Sequence, residues 1–297
     1  MPNPEVRYWS NSGRGARPIE LVVDPDGVGT VTVRTNRDTP GKGAVGLFRM
    51  RLDARQAGDL VASLRSPEFA AIPKPPPIRP GGTMRRLSIK EERGEEVARL
   101  AVFGVPPPPA FKAIEKQALD LVAAVRKHPV RAMAIELGPA PDQVDRGKEA
   151  ELKITLKSTG IEAIPLPHPS RWDNEGVRLA LSGSRSDIPP DRFAPHHRRT
   201  ETLSADHLAG DQAAALPRPV IPLKSVQPLE LVFRIALDWP PGDYNLSVVL
   251  GCALVLEERG AEVGCELYSS PVPSRIVGKR KRDDEPRPTK EDDEEEP

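Results

Sequence analysis

Glu149-Ala150-Glu151-Leu152-Lys153-Ile154-Thr155-Leu156-Lys157 alternates polar and apolar side chains without a break. Successive side chains of a strand point to opposite faces, so Ala150, Leu152, Ile154 and Leu156 line one face while Glu151, Lys153, Thr155 and Lys157 line the other. That is the pattern of a half-buried strand. The same period recurs outward from it. Met133, Ile135 and Leu137 alternate upstream, before the turn Gly138-Pro139-Ala140-Pro141. Downstream come Val177, Leu179 and Leu181, then Leu229, Leu231, Phe233, Ile235 and Leu237. The turn Pro240-Pro241-Gly242-Asp243 leads into Tyr244, Leu246 and Val248. About six to eight short strands with turn signals between them predict an all-β, immunoglobulin-like sandwich over residues 130–277. A long polar loop at 184–217 interrupts it.

Upstream, the period is mixed. Residues 1–17 read as a loose polar lead-in. Ile19–Val23 and Thr30–Val33 flank Asp24-Pro25-Asp26-Gly27, a hairpin signal because Gly27 adopts positive φ without a Cβ penalty. Phe48, Met50 and Leu52 alternate with arginines as a third strand, and Asp53 is placed to cap a helix running to about Leu64. A second hairpin turns at Glu91-Glu92-Arg93-Gly94. Phe111, Ile114, Ala118, Leu121, Val122 and Val125 have helical spacing, and Pro129 closes that helix. These elements predict an α+β module over 18–128, with two helices on one sheet face, joined to the sandwich by a linker at Pro129–Arg131.

Composition bounds the function classes. The chain of 297 residues has 43 basic and 43 acidic side chains, so no global charge draws it to nucleic acid or an anionic membrane. Its start lacks a cationic segment followed by an apolar run, and the apolar stretch Leu246–Leu256 is too short to span a bilayer. Cys252 and Cys265 do not form a disulfide framework. These features predict a cytoplasmic protein with no membrane association. High Ala, Arg, Pro and Gly usage fits a GC-rich, bacterial coding bias. Residues 278–297 carry Lys279-Arg280-Lys281-Arg282 and then nine acidic residues. They hold no aliphatic or aromatic group, which predicts a disordered charged tail.

The order of parts over 18–127, from the paired strands through Phe48–Asp53, Leu60/Leu64, Phe69 and the helix with Phe111 and Leu121, resembles small bacterial domains of the emfourin type. That resemblance implies inhibition of thermolysin-like metalloproteases and transfers no site residue. Glu149–Thr159 with Gly160, and Trp239-Pro240-Pro241-Gly242-Asp243-Tyr244, resemble the immunoglobulin-like sandwiches of bacterial intracellular proteinase inhibitors.

Candidate chemistry is sparse. His196, His197 and His207 share the 184–217 loop with Asp191, and imidazoles with a carboxylate can hold zinc. Adjacent histidines point apart in an extended chain, however, and Arg198 and Arg199 beside them oppose a cation; an exposed polar loop is the simpler reading. A two-residue turn at Arg259-Gly260 would set Cys252 opposite residue 267, offset from Cys265, which favours buried free thiols. Trp172 beside Arg171 is either a plug at the end of the sandwich or an anchor for a partner. No nucleophile elbow, phosphate loop or His-Glu-x-x-His sequence occurs. The expectation is therefore a non-enzymatic protein-binding or protease-inhibitor-like accessory protein without a cofactor. The alternatives are a metal-dependent hydrolase using the 184–217 loop and a structural component of a larger assembly.

Overall fold

The computed structural model describes residues 4–11, 19–73, 84–102, 105–187, 198–255 and 262–278. Strands dominate. The first half contains β1 (Glu5–Asn11), β2 (Ile19–Val23), β3 (Val28–Val33), β4 (Val45–Arg51), β5 (Met84–Lys90) and β6 (Glu96–Val102), with helices α1 (Ala54–Leu64), α2 (Pro67–Ala70) and α3 (Pro109–Val125). The second half contains β7 (Pro129–Leu137), β8 (Gln143–Asp145), β9 (Glu149–Ser158), β10 (Ile164–Pro167), β11 (Arg178–Arg185) and β12 (Arg198–Leu203). After the short helix α4 (Gln212–Ala215) come β13 (Val220–Leu223), β14 (Leu229–Ala236), β15 (Gly242–Val255), β16 (Glu262–Tyr268) and β17 (Val272–Val277).

Two large sheets result. The first has nine strands in the order β14-β9-β7-β4-β3-β2-β1-β5-β6. The second runs β12-β11-β15-β17-β8, with β16 also paired to β15, and β10 pairs with β13 separately. The alternation of β9 is realised in its pairing with β14, where Leu152 faces Phe233 and Ile154 faces Leu231, all four fully buried. Local signals act as the sequence dictates. Gly27 turns the β2–β3 hairpin at φ 77°, and the Asp53 carboxylate accepts the Arg55 N–H at 2.7 Å as the cap of α1.

The segment read as a linker is instead the start of β7. This strand pairs with β4 on one edge and with β9 on the other, so the first sheet crosses the boundary drawn at residue 129 without a gap. Pro129 is tolerated because it is the first residue of its strand. Strand β4 shows what the arrangement demands: Val45, Gly46, Leu47 and Phe48 are all buried, so both faces are covered. Helix α3 contacts β3 and β4, while β16 contacts β4 and β7. Strand β4 therefore lies between the helical layer and the second sheet. Buried side chains form one contiguous cluster from Val6 to Ile276. Each Leu, Ile or Phe in it contributes about 1.5–3 kcal/mol of burial.

Two further expectations are corrected. Residues 5–11, read as part of a loose lead-in, are β1, which pairs with β2 and β5 and buries Val6 and Tyr8. Residues 184–217 are not one long loop: β12 pairs along β11 from Leu203 to Arg198, followed by a 3-10 turn at Ala205–His207 and by α4. The segment 188–197 lies outside the described residues, as does 279–297, on which the disordered-tail expectation falls.

Candidate functional site

The outer face of the second sheet carries the most distinctive surface. In β11 and β15 the inward positions are large: Leu179, Leu181, Leu246, Val248 and Leu250 are buried. The outward positions between them are mostly short, namely Ala180, Ser182, Ser247 and Gly251, with Val249 among them and Thr200 beside them on β12. A sheet face normally covered by long polar side chains is thus left low, and a depression of 430 Å³ lies over it.

The wall of this depression comes from the first half of the chain. The segment after β3 docks along β16: the Glu266 N–H donates to the Arg34 carbonyl at 2.8 Å, and the Gly41 N–H donates to the Tyr268 carbonyl at 2.8 Å. Asn36 is buried between them, its Nδ2 donating to the Tyr268 carbonyl and its Oδ1 accepting the Tyr268 N–H. Gly41 has φ 69°, and a Cβ there would lie 2.5 Å from the Ser270 backbone nitrogen. Only glycine allows this approach. The docking sets Arg37 and Pro40 at the edge of the depression.

The lining of the depression carries more positive than negative charge. Arg37, Arg178 and Arg198 line it with a single carboxylate, that of Glu266. None of the three guanidiniums forms an ion pair or side-chain hydrogen bond among the described residues. Glu266 instead accepts the Tyr268 hydroxyl at 3.1 Å. Burial first, and Glu266 second, raise the Tyr268 phenol above its ordinary range, against the opposing pull of Arg37 and Arg198. The outer face of the first sheet provides the contrast. There Arg7 pairs with Glu5 at 2.7 Å, Arg86 with Glu96 at 2.6 Å and Arg34 with Glu20 at 3.5 Å, a self-compensated lattice.

The residues singled out by sequence lie elsewhere. His196 and His197 fall outside the described residues. His207 closes the 3-10 turn, its Nδ1 accepting the Ser204 N–H at 3.1 Å. Among the described residues, no three His, Cys, Asp or Glu side chains are grouped to hold a metal ion. Trp172 is only 2% exposed and donates its indole N–H to the Pro167 carbonyl at 2.9 Å. Its ring belongs to the core, which corrects the reading of it as a partner anchor. Arg171 remains half-exposed and pairs with Glu175 one helical turn on. His168 is wholly buried, with Nε2 2.8 Å from the Ala213 carbonyl, to which it donates.

Cys252 and Cys265 face each other directly across β15 and β16, as free buried thiols. The offset expected from a two-residue turn is corrected: Cys252 pairs directly with Cys265 in the observed register. Burial raises both thiols to about 12. Protonated, enclosed thiols are poor nucleophiles. A second buried polar group joins the sheet to α3, where Glu115 accepts the Tyr8 hydroxyl at 3.2 Å and Arg85 at 2.8 Å. Burial, then the Glu115 charge, push the Tyr8 phenol far up, and it stays neutral.

Sequence reasoning did not find the arginine-rimmed face, because its lining spans more than 200 residues of the chain, from Arg37 to Pro271. The available signal was local: outward positions of β11 and β15 include Ala180, Ser182, Ser247 and Gly251 where solvated strands usually carry Lys, Glu or Thr.

No protein family matches this chain, and no curated protein matches it. Several solved structures are similar over part of the fold. The enzyme described as catalysing macrocyclization in alchivemycin A biosynthesis, AvmM, is 12% identical, with half of this chain and 90% of that one covered at a TM-score of 0.31. The sporulation control protein Spo0M of Bacillus subtilis is 13% identical over half of each chain, at a TM-score of 0.27. The CARDB domain of a Pyrococcus furiosus protein, crystallised with di-metal ions, is 14% identical, with half of this chain and 90% of that one covered at 0.22. Likenesses of this order leave the function to be argued from the chain's own surface.

Proposed function

We propose that the protein is a non-enzymatic binding protein, of the accessory or inhibitor kind, which engages a protein partner through the outer face of its second sheet. The observation that carries this reading is the depression over Ala180, Ser182, Ser247 and Gly251, bordered by three arginines without an acid partner among the described residues. Arg7, Arg34 and Arg86 on the first sheet are paired with carboxylates of the same sheet; Arg37, Arg178 and Arg198 present their charge outward together. Arginine is enriched at interfaces because its planar fork makes several directed bonds at once.

The finer architecture belongs to the same reading: an α+β first half and an immunoglobulin-like second half. The first is supported by the helices over β3, β4 and β5. The second is supported by the Tyr244 hydroxyl, which donates to the Pro240 carbonyl at 2.8 Å, four residues upstream. Such a tyrosine corner recurs in these sandwiches. A reducing, cytoplasmic home agrees with two thiols that face each other unpaired. The emfourin-like order of parts makes a protease one class of partner to test.

The test uses whichever protein co-purifies from the native cell at fixed stoichiometry. Ser182→Trp, which fills the floor of the depression, should abolish the complex, whereas Arg171→Ala should not. A complex indifferent to Ser182→Trp would contradict the proposal. About one zinc per chain by elemental analysis, lost on replacing His196, His197 and His207 with alanine, would favour the hydrolase.

A further inference from the structure

We infer that the depression bordered by Arg37, Arg178 and Arg198 receives an acidic peptide segment, whose carboxylates meet the guanidiniums while its backbone crosses the short side chains of the floor. This rests on the outer face being the partner surface, and adds the chemistry of what it holds.

The spacing of the arginines carries the argument. Strands β11 and β12 are antiparallel, with Arg198 opposite Ser184. Arg198 therefore stands six residues along the sheet from Arg178, a separation of roughly 20 Å between backbones at about 3.3 Å per residue. Arg37 enters from a third direction, on the segment held by Asn36 and Gly41. Arginines anchored so far apart suit a ligand with several carboxylates along its length better than a single phosphate, which could be met from both ends only by side chains drawn inward. An extended peptide bears side chains of one face about 6.6–7 Å apart, and several acidic residues in succession match such a row.

The floor and the charge agree with that occupant. Ser182, Ser247 and Thr200 offer hydroxyls to backbone groups, and Ala180 and Gly251 leave height for a chain to lie across them. Three cations against one carboxylate give the lining an excess of positive charge. Glu266 stands in the same cross-strand row as Arg178, through Gly251, with no ion pair between them. It disfavours an acidic side chain directly beside it. Each exposed pair contributes little alone, so binding depends on several carboxylates together and weakens as salt screens them.

The full-length chain is titrated calorimetrically with a capped hexaglutamate peptide, a capped hexaserine peptide and inorganic phosphate. The expected result is one hexaglutamate per chain, weaker at high salt, with hexaserine and phosphate not binding. The double variant Arg178→Gln/Arg198→Gln should weaken hexaglutamate at least about tenfold. Arg234→Gln, on the exposed face of the first sheet, should leave it unchanged. Circular dichroism confirms that both variants are folded. Undetectable hexaglutamate binding, equal affinity in the double variant, or phosphate binding as tightly as the peptide would each overturn the inference. If Ser182→Trp still abolishes the partner complex in those cases, the face remains the partner surface and only the acidic ligand is wrong.

Discussion

The carboxamide of Asn36 satisfies both backbone groups of Tyr268: Nδ2 donates to its carbonyl at 2.9 Å and Oδ1 accepts its N–H at 2.7 Å. Residues 232 positions apart thus meet as two strands of a sheet would. Asn36→Ala would leave a buried N–H and carbonyl without that partner, a cost of about 1–3 kcal/mol. Chemical denaturation should show the midpoint falling accordingly. Asn36→Asp, which keeps the acceptor but loses the donor, should cost an intermediate amount or more if its charge stays buried.

Strand β7 makes the two halves depend on each other. A fragment ending at 128 strips β4 of its neighbour and bares Val45 and Leu47; a fragment beginning at 130 leaves Met133 and Ile135 at an open edge. Unpaired apolar edges aggregate. Fragments 1–128 and 130–277 should therefore each lack a cooperative thermal transition, while the full chain has one. Two sharp transitions from isolated fragments would show that each half holds its own core.

The paired thiols give a pH dependence with a definite sign. Burial raises both to about 12 from an ordinary value of 9.0, so the fold favours the protonated form. The associated stability is fully present below pH 9 and is lost as pH rises from about 9 toward 12. Between pH 9 and 10.5 each thiol accounts for a loss of about 2 kcal/mol. Cys252→Ala/Cys265→Ala should show a shallower decline than the wild type by denaturation at both pH values. Parallel declines would mean the thiols ionise as freely folded as unfolded.

Trp172 should behave as core. Trp172→Ala removes a buried indole and its bond to the Pro167 carbonyl, at a cost of about 3–5 kcal/mol. Arg171→Ala should cost less than about 1 kcal/mol. Thermal melts separate the two, and Trp172→Phe should leave partner binding unaltered.

Where the information was local, the sequence carried it. The alternation of 149–157 fixed which side chains of β9 face Leu231 and Phe233, and Asp24–Gly27 and Asp53 marked a turn and a cap. Strand β1 escaped because Pro4 and the polar residues after Ser10 frame a run too short to stand out, although Val6 and Tyr8 share a face. The pairing of β4 with β7 escaped because Pro129 stops a helix and starts a strand equally well. Only the apolar run Val45–Phe48, buried on both faces, hinted that another layer lay beyond it. The candidate site depends on such long-range pairings: Arg37 reaches Arg178 and Arg198 through Asn36 and Tyr268, and no spacing along the chain encodes that meeting.

The most direct test of the binding face is hydrogen exchange of the full chain, free and in complex with its co-purified partner. Protection is expected in residues 34–42, in β11 and β12, and in β15 around Ser247–Gly251, with the outer face of the first sheet unchanged. Protection confined to the segment around Arg171, or to the lattice of Arg7, Glu20 and Arg86, would contradict the account.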